Sequence, residues 1–132
     1  MAGFSAALRE EMLKWVGGIV GASQPGDFYI QFHNGDPGST GSANASTGIT
    51  GRVQLGGTPE WAVGTADDGQ IQNSTAGSSG AATGSDTISY FSVWSASVAG
   101  DYYFSGPLDV AKDVVVSDVL NWAIGDLKAT LT

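Results

Sequence analysis

The residues most suggestive of chemistry are His33 and Asp36, in the stretch FHNGDPGSTG at residues 32–41. A histidine close to an aspartate is the arrangement of a general base and its orienting carboxylate. His33 is the only histidine of the sequence, however, and no G-x-S-x-G nucleophile motif accompanies it. Asn, Asp, Pro and Gly in this order are typical of a turn that ends a strand. The pattern therefore favours turn geometry or a subunit contact for both residues over catalysis.

Metal and sugar chemistry have few candidate positions. With one histidine and no cysteine, the sequence lacks the ligands of a zinc site. The acids at residues 67–68 offer oxygens to calcium, but the alternating acids and closing Glu of an EF-hand are missing. Glu60 has no identifiable second carboxylate for glycoside cleavage. A non-catalytic sugar site could use Trp61, Trp94 or Tyr102, and it requires that at least one of Trp61, Trp94 and Trp122 is exposed. We predict no catalytic residue, no metal and no cofactor, and therefore a protein that is not an enzyme.

The composition is that of an acidic, glycine-rich folded domain. The 132 residues include 13 acids and five bases, for a net charge of −8, so a nucleic-acid partner or an anionic membrane surface is disfavoured. The 20 glycines favour short strands and turns over helices, while four Trp, four Tyr and five Phe argue against disorder. Because copies of such a chain repel one another, self-assembly must rest on apolar or hydrogen-bonded contacts.

Residues 4–16, FSAALREEMLKWV, form the one predicted helix. Apolar residues recur every three or four positions, Ser5 is the predicted N-cap, and Gly17 with Gly18 ends the helix. The apolar stripe packs either on the chain's own sheet or on a partner or sister subunit. Acids precede the apolar run WVGGIVGA, which is unlike a signal peptide and far shorter than a membrane span. We therefore expect synthesis in the host cytoplasm without a signal peptide.

After residue 25 the sequence alternates between short strands and turns. DFYIQF has the period of a half-buried strand, GRVQLG and EWAVG are short strands, and TISYFSVWS with DYYFSGPL gives the strongest hairpin pattern. Residues 65–86 are predicted to be a long surface loop or a weakly specified ribbon, and the C-terminal residues are predicted to form three more short strands. The expected fold is mainly β, an antiparallel sandwich or jelly-roll-like domain over 25–132, preceded by a short helix within 1–20.

Four stretches together resemble a family of small tailed-bacteriophage virion proteins, described as tail-fibre or decoration proteins. They are FYIQFHNGDPGSTG (28–41), GRVQL (51–55), FSVWSASVAGDYYFSGPL (91–108) and AIGDLKATLT (123–132). The family pattern has Tyr-Ala-Arg where this chain has Ile49, Thr50 and Gly51 before Arg52, so the Arg matches and the Tyr does not.

The resemblance implies a structural role in the virion. The first expectation is a capsid decoration or cement protein that binds the outer capsid surface as a symmetric oligomer, with a trimer favoured. The alternatives are a tail-associated or tail-fibre subunit, or a small carbohydrate-binding module for a host-surface glycan. The expected partners are the major capsid protein or tail proteins. The candidate contact residues are Phe4, Leu8, Met12, Trp15, His33, Asp36 and Arg52.

Overall fold

The computed structural model describes residues 3–19, 21, 26–56, 60–63 and 69–130. In chain order its elements are β1 (Gly3–Phe4), α1 (Ala6–Val16), β2 (Tyr29–His33), β3 (Val53–Gln54), β4 (Trp61–Val63), β5 (Gln70–Asn73), β6 (Gly77–Ala81), β7 (Asp86–Trp94), β8 (Tyr102–Val114), β9 (Val119–Trp122) and β10 (Lys128–Thr130). The predicted fold class, mainly β with antiparallel sheets and one short N-terminal helix, is confirmed.

The strands form one large and two small antiparallel sheets. The large sheet has the order β1-β8-β7-β2-β3, and the small sheets are β10-β5-β4 and β6-β9. Aromatic side chains join them: the ring of Phe32 lies 5.7 Å from that of Trp122, and Trp61 lies 4.9 Å from Phe104. The core therefore lies between one face of the large sheet and the two small sheets.

Strand β2 shows how the sequence pattern sets the two faces of the large sheet. Ile30 and Phe32 have no exposed surface and belong to the core, while Tyr29 and Gln31 alternate with them and remain half-buried. Because successive side chains point to opposite faces of a strand, His33 continues the series of Tyr29 and Gln31 on the face away from the core. This second face is the one on which the polar side chains of the sheet gather.

Helix α1 ends where it was predicted to and has Ser5 as its N-cap, but it begins at Ala6 rather than at residue 4, because Phe4 belongs to strand β1. The Ser5 hydroxyl accepts a hydrogen bond from Leu8 N at 3.1 Å, and the backbone of Gly17 caps the other end by donating to the Leu13 carbonyl. Leu8 and Met12 are half-buried against the core, yet no helical residue is fully buried. No helix of the described part is long and apolar enough to cross a membrane.

Three expectations about the strands require correction. The segment 65–86, predicted as a long surface loop or a weakly specified ribbon, contains the strands β5 and β6. Asn73 and Ser79 accept hydrogen bonds from the backbone N–H groups of Leu127 and Leu120 and so hold strands whose composition disfavours them. Simple alternation along TISYFSVWS predicts Ile88 on the face of Tyr90, opposite Phe91, but Ile88 is buried in the same cluster as Phe91, since the β7–β8 register shifts between Ile88 and Tyr90. Two strands rather than three follow β8, which itself extends to Val114. Residues 57–59, 64–68 and 131–132 lie outside the described part.

Candidate functional site

The last residue of β2, His33, lies on the polar face of the large sheet beside strand β7. Gln31 pairs with Ser92 and His33 with Tyr90 in the antiparallel register. His33 and Ser92 have no exposed surface, although this face carries polar side chains. They are buried because the loop that follows β2, residues 34–48, folds back over the sheet; we call it the cover loop.

His33 is held by one hydrogen bond at each ring nitrogen. Its Nδ1 lies 2.8 Å from the Ala43 carbonyl oxygen, and its Nε2 lies 2.7 Å from the Ser92 hydroxyl. The Trp94 indole N–H donates to the same hydroxyl at 2.8 Å. A carbonyl only accepts and an indole N–H only donates, so Nδ1 carries the proton and Ser92 donates to Nε2. Burial lowers the pKa of His33 below its usual 6.5 and keeps the ring neutral.

The Ser92–His33 contact has the distance of a nucleophile and its base but no access for a substrate. Both side chains are fully buried, and the third group at the hydroxyl is an indole rather than a reacting carbonyl. Asp36 does not orient the imidazole. Its Oδ1 accepts from the backbone N–H of Gly38 at 2.8 Å, two residues along, which is an Asx-turn. Asp36 therefore closes the turn and does not form a catalytic dyad with His33.

The cover loop is packed against the sheet by Tyr102. Gly41 lies directly under the Tyr102 ring, and a Cβ atom at this position would clash with that ring. Gly41 also has a φ of +75°, a conformation that disfavours other residues. The Tyr102 hydroxyl donates to Ser105 at 2.7 Å, and burial together with the charge of Asp36 raises the pKa of Tyr102.

Asp86, at the start of β7, ties the far end of the cover loop to the sheet. Its carboxylate accepts from the Ser46 hydroxyl at 2.7 Å and from the Thr47 backbone N–H at 3.0 Å. The Thr87 N–H and the Asn34 side-chain amide also donate to this carboxylate. Burial raises the pKa of this carboxyl, but the four donors together outweigh it and the net shift is downward. The charged carboxylate is therefore the form that holds the loop.

Arg52 fixes the tip of the β7–β8 hairpin. Its guanidinium lies 4.0 Å from the centre of the Trp94 ring, and its Nη1 donates to the carbonyls of Ala96 at 2.8 Å and Ala99 at 2.6 Å. Its Nε donates to Gln31 at 3.1 Å. Burial lowers the pKa of Arg52 from its usual value. The arginine thus connects the hairpin tip to the same polar face that carries His33.

The C-terminal end of helix α1 is apolar and exposed, in contrast to the buried polar residues under the cover loop. Leu13, Trp15 and Val16 expose 71%, 74% and 75% of their surface, and Ile19 just beyond the helix exposes 57%. We call these four residues the helix end. Leu8 and Met12, earlier in the helix, pack against the core, whereas the described residues leave these four side chains largely uncovered.

A family model described as Podophage GP4 fiber I protein gp80 matches residues 3–130. The chain belongs to this family. The predicted resemblance to small virion structural proteins of tailed phages is thereby confirmed, and the protein is a phage structural protein of the fibre-like type that belongs to the virion. A search among curated proteins gives no match.

The predicted contact residues of this family member fall in three places. His33, Asp36 and Arg52 cluster around the polar face, where each has a partner inside the chain. Phe4 is buried and stacks on Phe104 with ring centres 5.2 Å apart. Trp15 alone among the predicted residues is strongly exposed. Contact with a virion partner stays a prediction for all seven candidates: Phe4, Leu8, Met12, Trp15, His33, Asp36 and Arg52.

The remaining candidate chemistry has little structural support. The acids at 67–68 lie outside the described part, and the described residues contain no group of three or more His, Cys, Asp or Glu side chains placed to hold a metal ion. Trp122 is buried, while Trp61 and Trp94 are half-buried. The guanidinium of Arg52 already lies over the ring of Trp94. The glycan alternative stays a prediction.

Several residues that build the cover escaped the sequence reasoning. Ser92 occupies the polar position of an alternating strand beside β2, and strand pairing could have placed it near His33. Asp86 is an acid at the start of a strand after a Gly/Ser-rich segment, which is a weak signal. Tyr102 and Gly41 are in contact although they lie 61 residues apart, and no local pattern in the sequence predicts this contact.

Proposed function

We propose that this protein is a non-enzymatic structural subunit of a phage tail fibre, or of the tail structure to which a fibre is attached. The observation that carries the proposal is the family match over residues 3–130, whose description names a fibre protein. The fibre assignment was an alternative in the sequence analysis, and we now place it before capsid decoration. The expected partners are accordingly tail proteins and further copies of the chain.

The geometry of the polar face supports a structural role. The only histidine is buried under the cover loop together with its serine partner. The charged groups of Arg52, Asp36 and Asp86 each form hydrogen bonds within the chain. Such fully connected polar networks rigidify a fold and specify one arrangement. A rigid β body with one uncovered apolar helix end is suited to assembly rather than turnover.

The position of the protein in the particle tests the proposal. Purified virions would be analysed by quantitative mass spectrometry, with the copy number referred to that of the major capsid protein, and labelled with gold-conjugated antibody for electron microscopy. We expect a small number of copies, with gold at the tail. Copies comparable in number to the capsid protein, with gold spread over the head, would overturn the fibre assignment and favour a capsid decoration protein.

The carbohydrate-binding alternative has a separate test. Trp15 is the most exposed tryptophan of the described part, so a glycan that stacked on an indole would change the fluorescence of this residue first. Titration of host-surface glycan into the wild type and a Trp15→Phe variant measures this directly. We expect no saturable change in either protein.

A further inference from the structure

The dipeptide Asn34–Gly35 opens the cover loop, directly after the last residue of β2. Asn34 is exposed to solvent and Gly35 is partly exposed. In an asparagine–glycine pair the backbone nitrogen of the glycine can attack the side-chain amide of the asparagine, because glycine has no Cβ atom to hinder the close approach. The two residues therefore fit a turn, and they also permit a reaction within the chain.

Both reacting groups of this dipeptide are weakly held in the folded chain. Among the described residues, the Gly35 N–H has no hydrogen-bond partner. The Asn34 side-chain amide donates to the two carboxylate oxygens of Asp86 over 3.3 and 3.4 Å. These contacts are longer than a typical N–H···O hydrogen bond, so they restrain the amide only loosely. The fold thus leaves the attacking nitrogen free and the attacked carbonyl carbon accessible.

The other three asparagines of the sequence lack this combination of features. Asn73 is fully buried, and its amide donates to two backbone carbonyls at 2.7 and 3.0 Å. Asn44 donates to the Asp36 carbonyl at 2.9 Å and precedes an alanine. Asn121 lies in a strand and precedes a tryptophan, whose side chain hinders attack by its backbone nitrogen. Sequence and structure therefore single out Asn34.

We propose that Asn34 is a self-modification site, which converts to aspartate and isoaspartate without an enzyme. The Gly35 nitrogen forms a bond to the Asn34 Cγ atom, the Cγ–Nδ2 bond breaks, and the side-chain nitrogen leaves as ammonia with the proton that the Gly35 nitrogen has lost. Water then opens the cyclic imide at either of its two carbonyl carbons. Opening at one carbon gives aspartate, and opening at the other gives isoaspartate. Water is the only co-reactant, and the proposal goes beyond the structural role in the virion.

The products loosen both ends of the cover loop. A carboxylate at position 34 replaces a donor that lies 3.3 Å from Asp86 Oδ1, so two like charges face each other there. The same Asp86 carboxylate accepts from Ser46 and Thr47 at the far end of the loop, and repulsion therefore weakens that attachment. Isoaspartate also lengthens the main chain by one methylene group directly after the N–H of residue 34, which pairs with the Asn44 carbonyl at 2.9 Å.

Peptide mapping by mass spectrometry tests the site on the full chain, incubated folded in mildly alkaline buffer. We expect Asn34 to convert at least about tenfold faster than any other asparagine, a barrier lower by about 1.4 kcal/mol, with both aspartate and isoaspartate in the product. Gly35→Ala should remove this lead. Its Cβ atom would stand 3.0 Å from the Asn44 side chain, so circular dichroism checks the fold. Asn34→Gln is the second control, because a glutamine would have to form a larger ring.

A chain unfolded in urea, incubated in the same way, shows that the conditions support the reaction. If Asn34 converts in the unfolded chain but stays an amide in the folded chain, the fold protects it and the proposal is overturned. Faster conversion of another asparagine in the folded chain would also overturn it.

The effect of the product on the cover loop has its own test. Asn34→Asp reproduces the new charge, and Asn34→Ser removes the amide without adding one. We expect the midpoint of thermal unfolding of Asn34→Asp to lie about 3–6 °C below that of Asn34→Ser. In an Asp86→Asn background this difference should vanish, because the second carboxylate is gone. Equal midpoints with Asp86 intact would overturn the loosening. Neither measurement depends on the position of the protein in the particle, so failure of the fibre assignment is recognised separately.

Discussion

The cover loop and the helix end differ in how far the chain itself satisfies their side chains. Beneath the cover loop, residues 34–48, the buried side chain of His33 has Ser92 as its partner, and within the loop Asp36 accepts from Gly38 and Ser46 donates to Asp86. At the helix end, apolar groups are exposed and no described residue covers them. Buried polar groups with partners fix a shape, whereas exposed apolar groups gain free energy only from a partner. We therefore infer that the cover loop fixes the shape of the protein and that the helix end contacts a partner.

The largest effect on stability is expected when the packing of the cover loop is disrupted at Gly41. Gly41→Ala places a Cβ atom against the Tyr102 ring and strains a backbone with φ of +75°. We expect a loss of about 2–4 kcal/mol in the free energy of unfolding, measured by urea denaturation. Gly51→Ala is the matched control, because its Cβ atom meets nothing within 4 Å. Equal stability of the two variants would show that Tyr102 does not hold the loop.

The next effect concerns the clamp at Asp86. Asp86→Ala leaves the Ser46 hydroxyl and the Thr47 N–H without their acceptor, and we expect a loss of about 2 kcal/mol in the free energy of unfolding. Because the net shift of the Asp86 pKa is downward, its contribution is complete above pH 3.8 and decreases as the pH falls toward the lower folded value. The variant should lack this acid-dependent step. Asp27→Ala, an exposed acid, should retain it, and an identical acid profile in Asp86→Ala and the wild type would contradict the clamp.

A smaller effect is the pH dependence that His33 introduces. Its folded pKa lies below the usual 6.5, so the unfolded chain binds the extra proton. Stability is therefore complete above about pH 6.5 and decreases below it, by at most about 1.4 kcal/mol per pH unit. His33→Gln keeps a donor and an acceptor but does not titrate. Urea denaturation between pH 5 and 7.5 should show the slope in the wild type only; equal slopes would mean that the ring is not buried as described.

The smallest effect on folding is expected at the helix end. Trp15→Ser should change the free energy of unfolding by no more than about 0.5 kcal/mol, because the side chain is 74% exposed. Leu8→Ser, on the same apolar stripe but half-buried against the core, should cost about 1–2 kcal/mol. Thermal unfolding of both variants, at concentrations where the chain is monomeric, makes the comparison. A large loss at Trp15 would mean that the helix end packs on its own chain.

Local patterns in the sequence predicted much of the fold. Alternation placed Ile30 and Phe32 in the core, Ser5 and Gly17 bounded the helix, and the β7–β8 hairpin followed from two alternating runs. The strands β5 and β6 were missed because their Gly, Ser, Thr and Asn residues have low strand propensity. They are held instead by distant partners, such as Leu127 N, which donates to Asn73 at 2.9 Å.

The site was predicted less completely, for a physical reason. His33 and Asp36 attract attention because their residue types can do chemistry, but their roles depend on partners 59 residues away or on the backbone two residues ahead. The apolar stripe of the helix suggested either its own sheet or a partner. Leu8 and Met12 pack on the chain itself, whereas Trp15 and Val16 are exposed, and periodicity alone does not reveal this difference.

Hydrogen–deuterium exchange of the free chain and of assembled particles tests the division between shape and contact most directly. The account predicts that the amides around residues 13–19 exchange quickly in the free chain and slowly in the particle. The amides of the cover loop, residues 34–48, should exchange at the same slow rate in both. Protection gained by the cover loop, with no change at the helix end, would contradict it.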